Sequence, residues 1–342
     1  MDFGMFPDFH VRQGMTQAEA FEESFSQIDR AEQMGMDSVW LAEHHFSPER
    51  SVLASPLVIA SAIAARTSRI RIGLAVQVLP LTNPLRVAEE AATVDHISKG
   101  RFEFGIGRSG LSKYYEGYNV PYSESRSRFL ESLEVIMRAW QGGPFSYDGE
   151  FYSYQDVQVV PQPLQQPHPP TRVAAASADT YTQIGKLGHP IFISANTPIP
   201  QLQERLADYR ACRQEAGHEG PGEVVLRIPA YVAETTEAAR SEPQSSTMHA
   251  ITYAATELIK TAASEEGAER LRQMAQTPYE DVLRQRVMYG TPEQVTERLQ
   301  EYRDELDISG VVLEMNYGGQ VPDDRVMNSV RLLTEKVIPN LK

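Results

Sequence analysis

Ser38-Val39-Trp40-Leu41-Ala42-Glu43-His44-His45-Phe46 is an apolar run that ends in an acid and two imidazoles. Residues 38–42 read as a buried strand, and the polar residues begin where that strand runs out. His44 and His45 are adjacent, so a strand would point them to opposite faces. One working histidine follows from this, not a two-histidine metal clamp. Similar strand-like segments recur at 2–6, 70–78, 102–106, 171–175, 191–194, 224–232 and 310–314. Helical patterns lie between them, at 17–34, 56–66, 84–97, 125–140, 179–187, 199–216 and 292–305, and a last one at 325–337 closes the chain. In the first, Ala20, Phe21, Phe25, Ile28, Ala31 and Met34 recur with a helical period. Pro56, Pro84 and Pro292 stand where a first helical turn tolerates proline. Thr291 with Gln294 predicts a capping box.

Eight strands, each followed by a helix, predict a parallel sheet with right-handed crossovers. The segment 70–78 is almost continuously apolar, as a sheet covered on both faces requires. Eight units favour closure into a (β/α)8 TIM barrel, with an open doubly wound sheet as the alternative. Such a barrel needs about 250 residues. The 342-residue chain is therefore expected to be a single domain, 1–342, with insertions after strands 4 and 7. The first insertion, 142–170, predicts a hairpin at 145–154 and a proline-rich return. The second, 241–289, follows the seventh strand on the catalytic side and is a candidate lid.

The formal charge of −14, with no concentrated basic patch, argues against nucleic acid as a partner. No apolar run approaches the roughly 20 residues of a membrane span. The N-terminal MDFGMFPDFH lacks the basic and apolar regions of a signal peptide. Cys212 is the single cysteine, so no intrachain disulfide forms, and a cytoplasmic location is the expectation.

Gly105-Ile106-Gly107-Arg108-Ser109-Gly110 matches the dinucleotide pattern GxGxxG. That pattern needs a helix directly after it. Residues 111–121 contain Gly117, Asn119 and Pro121 and do not read as one, which rejects the nicotinamide reading. The glycines still allow close approach of something flat or phosphorylated, with Arg108 to supply charge. Ser177-Ala178-Asp179-Thr180 opens a helix after the fifth strand. It can offer amides and hydroxyls to an anion, or be an ordinary cap by Ser177 or Asp179. Arg126 is a candidate second guanidinium, or simply a solvated helix residue. His10 lies beyond the first strand and, with His44 and Glu43, forms a thin version of a metal site. A metal hydrolase is therefore the alternative from a different class.

The segments LAEHHF at 41–46, VLPLTNPLRVAEEAATVDHISKGRFEFGIGRSG at 78–110, AAASADT at 174–180 and YGTPEQVTERL at 289–299, then Gly318-Gly319 and VIPNL at 337–341, occur in order along the chain. On these residues the chain resembles the bacterial luciferase-like flavin monooxygenases over nearly its whole length. The resemblance implies a TIM barrel that uses reduced flavin mononucleotide (FMN) and molecular oxygen to oxygenate a small organic substrate through a flavin hydroperoxide. A separate NAD(P)H:flavin reductase would supply the reduced flavin, and a homodimer would be the assembly. His44 matches the catalytic histidine, with Glu43 beside it. Arg108, Arg126, Ser177 and Thr180 match positions around the flavin phosphate. Leu74-Ala75 falls where a non-proline cis peptide lies under the flavin ring. Gly107 and Ala176 stand where the light-emitting subunit has a cysteine and a glutamate, which argues against long-chain aldehyde and light emission. A deazaflavin-dependent hydride transferase and a non-catalytic flavin-binding subunit are the alternatives within this resemblance. Phe6, Phe9, Trp40, Phe46, Tyr114 and Tyr115 are the expected aromatic lining.

Overall fold

The computed structural model describes residues 1–259 and 265–342. Its strands are β1 (Asp2–Met5), β2 (Ser38–Leu41), β3 (Arg71–Leu74), β4 (Gln77–Val78), β5 (Phe102–Gly107), β6 (Phe145–Asp148), β7 (Ser153–Val157), β8 (Thr171–Ala174), β9 (Ile191–Ser194), β10 (Val224–Val232), β11 (Met288–Gly290) and β12 (Gly310–Glu314). Among the described residues, β10, β12, β1, β2, β3, β5, β8 and β9 follow one another in the sheet, and a β9–β10 pair closes it. The fold is a (β/α)8 TIM barrel. The short strands β4 and β11 pair with β5 and β10. The expected hairpin in the first insertion is β6–β7, antiparallel and reaching Val157. No described helix is long and apolar enough to cross a membrane.

Backbone contacts group the chain into two compact units. The first comprises Met1–Trp40, Ser47–Val52 and Ala175–Lys342. Its first helix, Gln17–Met34, opens with a Thr16–Glu19 capping box and ends at Gly35 with φ 100°. The predicted Thr291–Gln294 box opens helix Pro292–Leu306. Trp40 on β2 packs 5.3 Å from the Phe192 ring and donates to Ser38 Oγ at 2.9 Å. A Cβ at Gly4 would lie 2.6 Å from the indole, so this strand position admits only glycine without a shift. Phe9 meets Phe21 and Phe25 edge-on at 5.7 and 5.6 Å. Trp40, expected as lining, is thus core; Phe9 is also buried, yet with Phe6 it borders a small cavity.

The second insertion, 241–289, contains the helices Gln244–Ile259, Glu265–Ala275 and Tyr279–Gln285 and runs into β11. Residues 260–264 of the expected lid lie outside the described residues. Helix Gln244–Ile259 is tied to the loop after β12, where Ser246 Oγ donates to Tyr317 O at 2.8 Å and accepts from Gln320 N at 2.9 Å. Thr247 and Tyr289 share a hydroxyl hydrogen bond of 2.7 Å.

The second unit comprises Leu41–Phe46 and Leu53–Ala174. Here the strand expected at 70–78 is broken in two. The Ala75 N–H donates to Leu41 O at 2.6 Å, which keeps the Leu74–Ala75 peptide in the ladder. The cis peptide therefore falls one bond later than expected, between Ala75 and Val76.

The stretch Ser98-Lys99-Gly100-Arg101 also gains a physical role. Lys99 and Gly100 adopt φ of 58° and 79° to end helix Pro84–Ser98. The Arg101 guanidinium then donates to Ala64 O, Thr67 O, Thr67 Oγ1, Ile70 O and Ser98 O at 2.7–3.1 Å. It thereby satisfies carbonyls at the C-terminal end of helix Pro56–Arg66, which has no further intrahelical donors. Asp95, fully buried, accepts from Gln165 N at 2.8 Å and Gln165 Nε2 at 2.7 Å, fastening the proline-rich return.

A lysine has no planar fork to serve so many acceptors. Arg101→Lys should lower unfolding stability by about 3 kcal/mol, measured by urea titration.

Candidate functional site

β2 ends at Leu41, so Glu43, His44 and His45 belong to the loop that leaves it. Within that loop Glu43 is buried, with 7% of its surface exposed. One carboxylate oxygen accepts from Val78 N at 2.8 Å and Gln77 Nε2 at 2.7 Å. The other accepts from His45 Nε2 at 2.7 Å. Burial pushes the Glu43 carboxyl above the usual carboxylate range, while the bonds from His45 and Val78 pull it down.

His45 is buried and reaches Tyr118 Oη with its second nitrogen, Nδ1, at 3.2 Å. Burial and the Glu43 charge raise the Tyr118 pKa, so this phenol keeps its proton near neutrality. The chain of donors is then Tyr118 O–H to His45 Nδ1, and His45 Nε2–H to Glu43. His44 goes elsewhere. Its backbone N–H donates to Leu53 O at 2.9 Å, and its Nδ1 lies 3.2 Å from Tyr114 Oη. The two histidines therefore serve different partners, as their adjacency predicts. Because β2 has ended at Leu41, a loop rather than strand alternation separates them, and in that loop Phe46 takes φ 53°.

Phe46 is 56% exposed and packs on Gly117 and Tyr118. A Cβ at Gly117 would lie 2.1 Å from the Phe46 ring. Tyr114 and Tyr115 are fully buried. They sit on a short helix, Ser112–Gly117, where the glycine and asparagine signals predicted none. Burial of the two rings outweighs those signals. The helix starts two residues after Gly110, so the dinucleotide pattern lacks its directly following helix.

Gly105 and Gly107 of that pattern make room for the protein itself, whereas Gly110 has open space around it. A Cβ at Gly105 would lie 1.6 Å from Leu74 O, and one at Gly107 would lie 2.7 Å from the Val76 side chain. Arg108 donates to Ser125 Oγ at 3.2 Å, and its carbonyl accepts from Tyr115 Oη. Arg126 is exposed on the first turn of helix Ser125–Ala139.

In the other unit, Ser177 occupies the N-cap of helix Ala178–Leu187, yet its side chain makes no capping bond among the described residues. Its hydroxyl instead meets the Thr180 hydroxyl at 2.8 Å. The ordinary capping role is therefore not the one Ser177 performs. The Thr180 N–H donates to Ser177 O at 2.9 Å, and the exposed first turn sets two hydroxyls beside the helix N-terminus.

His10 does not share the Glu43 carboxylate, whose donors are His45, Gln77 and Val78. Its neighbours are Asp8, Arg50 and Glu314. Sequence reasoning missed this group, together with Tyr114 and Tyr118 as histidine partners. Tyrosines carry no motif. Glu314, however, is an acid ending an apolar strand and is itself a readable signal.

A family model described as luciferase-like monooxygenase matches residues 1–307. The protein y4wF of Sinorhizobium fredii is 36% identical over 173 residues, which is 50% of either chain. The chain thus spans half the length of y4wF, and likewise of y4vJ from the same organism. The flavin-dependent trigonelline monooxygenase, oxygenase component, of Acinetobacter baylyi is 30% identical over 246 residues, 70% of this chain and 67% of that one. The crystal structure of monooxygenase RslO1 from Streptomyces bottropensis matches with a TM-score of 0.84 and 26% identity over 100% of both chains. An F420-dependent secondary alcohol dehydrogenase, at 17% identity and a TM-score of 0.78 over 100% of this chain and 99% of that one, shares the fold alone.

The raised Glu43 pKa gives a sign for pH dependence. Stability that is present below the usual carboxylate pKa is lost as pH rises through the raised value. Glu43→Gln removes that titration. Urea unfolding should therefore show the variant gaining on the wild type as the pH rises above the usual carboxylate range. Parallel stability curves would dismiss a raised Glu43 pKa.

Proposed function

This chain belongs to the luciferase-like monooxygenase family, and from that premise we propose that it is the oxygenating component of a two-component flavin monooxygenase. The observation that carries the reading is the exposed N-terminus of helix Ala178–Leu187, where the Ser177 side chain makes no capping bond and turns its hydroxyl to Thr180. A helix N-terminus and paired hydroxyls are a donor set suited to a phosphate dianion. That donor set fits the phosphate of FMN. In this reading Ser177 and Thr180 hold the phosphate, and Arg108 and Arg126 add guanidinium charge to it. Leu74 and Ala75 border the flavin ring.

Reduced FMN would supply the electrons that activate molecular oxygen. His44 moves the proton that this chemistry requires, at Nε2, while the Tyr114 hydroxyl holds the ring through Nδ1. Glu43 is a positioning residue: its carboxylate fixes His45 and the start of β4. The insertion helix Gln244–Ile259 helps exclude water. The reduced flavin comes from a separate NAD(P)H:flavin reductase, a reading supported by the words "oxygenase component" in the name of the A. baylyi relative. The implied homodimer, and the cytoplasmic location expected from the lone cysteine, belong to the same proposal.

The deciding experiment equilibrates the purified chain with reduced FMN without oxygen, and in parallel with reduced F420, then admits oxygen and follows its uptake. Binding of FMN with oxygen uptake is expected. F420 binding with hydride transfer and no oxygen uptake would replace this reading. Two variants refine it. Arg108→Ala should weaken FMN binding at least about tenfold, since a bond to a charged group is lost; unchanged affinity removes Arg108 from the phosphate site. His44→Ala should retain FMN binding but lose substrate oxygenation by about a hundredfold or more, releasing hydrogen peroxide instead. Normal oxygenation would clear His44 of the role.

A further inference from the structure

Arg286 stands between helix Tyr279–Gln285 and β11, at the end of the second insertion. It is half-buried, and its guanidinium has neither a hydrogen bond nor an ion pair among the described residues. Every other buried or half-buried arginine among the described residues has a bonded partner. The acids of the preceding helix are taken: Glu280 binds Arg240, and Asp281 binds Arg284. None of residues 260–264 is an acid. A guanidinium withdrawn in part from water, with five N–H donors and no acceptor of its own, is costly unless something fills those donors.

A second unfilled donor lies near it. Tyr317, in the loop after β12, packs on Val282 and Val287, which flank Arg286 in sequence. Its carbonyl accepts from Ser246 Oγ at 2.8 Å, but its hydroxyl has no hydrogen-bond partner among the described residues. Burial and then Glu314 raise the Tyr317 pKa, while the charges of Arg227, Arg50 and Arg286 oppose them. The phenol therefore keeps its proton at neutral pH and can donate it. Arg227 on β10 lies over the Phe6 ring at 4.3 Å and pairs with Glu314, and Arg50 pairs with Asp8 at 3.1 Å. Three guanidiniums thus meet two carboxylates, and Arg286 is the surplus. Glu49 is exposed, where water screens it. A divalent cation among Asp8, His10 and Glu314, whose ligating atoms lie within 4.8 Å of one another, would only enlarge the positive excess. The hollow beside His10 has room for about one water, and Arg286 is not part of its lining. What the surplus calls for is one anion with two acceptor oxygens, placed on Arg286 itself.

We infer that Arg286 and the Tyr317 hydroxyl bind the carboxylate of an anionic organic substrate, with Arg227 adding charge from the barrel strand. The inference rests on the monooxygenase reading for calling that molecule the substrate, but not for its binding. Arg286 sets specificity by charge and shape together. Its planar fork meets both oxygens of a carboxylate, whereas a neutral amide of the same outline leaves the charge unmatched. A phosphate monoester offers the same oxygens, and FMN carries one, so the test separates the two sources.

The test is equilibrium binding of benzoate and of benzamide, its neutral isostere, to the full chain without flavin, by ligand-observed NMR. Benzoate should bind at least about tenfold more tightly, as hydrogen bonds to a charged group require. Arg286→Gln should bring benzoate down to the level of benzamide, and Arg286→Lys, which keeps the charge but not the fork, should retain part of the preference. Tyr317→Phe should weaken benzoate by about threefold to tenfold. Arg284→Gln removes the same charge from an exposed, paired arginine nearby and should leave benzoate binding unchanged. Urea unfolding of Arg286→Gln should match the wild type, because no bond within the fold is lost; a clear loss of stability would reveal a structural role and overturn the inference. Equal binding of the two probes also overturns it, as do undetectable benzoate binding up to its solubility, a preference that survives Arg286→Gln, or an equal loss in Arg284→Gln. Reduced FMN and reduced riboflavin are measured on the same proteins. If Arg286→Gln abolishes the preference for FMN, the guanidinium belongs to the flavin phosphate and the substrate assignment falls. If neither flavin binds the wild type, the flavin reading fails while the benzoate result stands or falls alone.

Discussion

A buried carboxylate organises the loop that leaves β2 in the Leu41–Phe46 and Leu53–Ala174 unit. Glu43 receives a backbone amide from Val78, a side-chain amide from Gln77 and an imidazole from His45. Burying a carboxylate is expensive unless its lone pairs are filled. Filling them requires β4 to start where it does and the histidine loop to fold back as it does. His44 is then left to Tyr114, outside the Glu43 set. The division of labour between two adjacent imidazoles is thus a consequence of satisfying one acid.

Close approach is the second recurring device. Gly4 admits the Trp40 indole, Gly105 the Leu74 carbonyl, Gly117 the Phe46 ring and Gly319 the His10 ring. At each of these positions a methyl group would collide at 2.6 Å or less. Phe46 and His10 have solvent access, and glycines add close contact to the contacts they make themselves, Phe46 with Tyr118 and His10 with Arg50 O. A side chain fixed in this way can present polar or flat surface outward without collapsing into the core. The same logic explains why GxGxxG at 105–110 is not a nucleotide signature here. Gly105 and Gly107 accommodate the turn after β3.

Much of the architecture was legible because barrel strands and their helices are written in local patterns. Segment 310–314 is apolar throughout and became β12 without change of boundary, and 191–194 became β9. Thr291 and Gln294 formed the capping box that their spacing demands. The misreadings were equally local. Segment 70–78 looks like one strand, because nothing in its composition marks the bond at which Ala75 stops following the ladder. Residues 112–117 look irregular because the burial of Tyr114 and Tyr115 that makes them helical depends on distant chain.

The sequence by itself determined the eightfold alternation, the places where chemistry-bearing residues leave the strands, and the likeness to a flavin-using family. Those features rest on periodicity and order, which are properties of the chain read in line. Only the tertiary structure decided which of those residues meet. His45 and not His44 pairs with Glu43; Ser177 faces Thr180 rather than its own helix amides; His10 shares its surroundings with Glu314, more than three hundred residues away in sequence. Partners of that kind are chosen by burial, because a polar group taken from water must find its hydrogen bonds among whatever the fold brings near it.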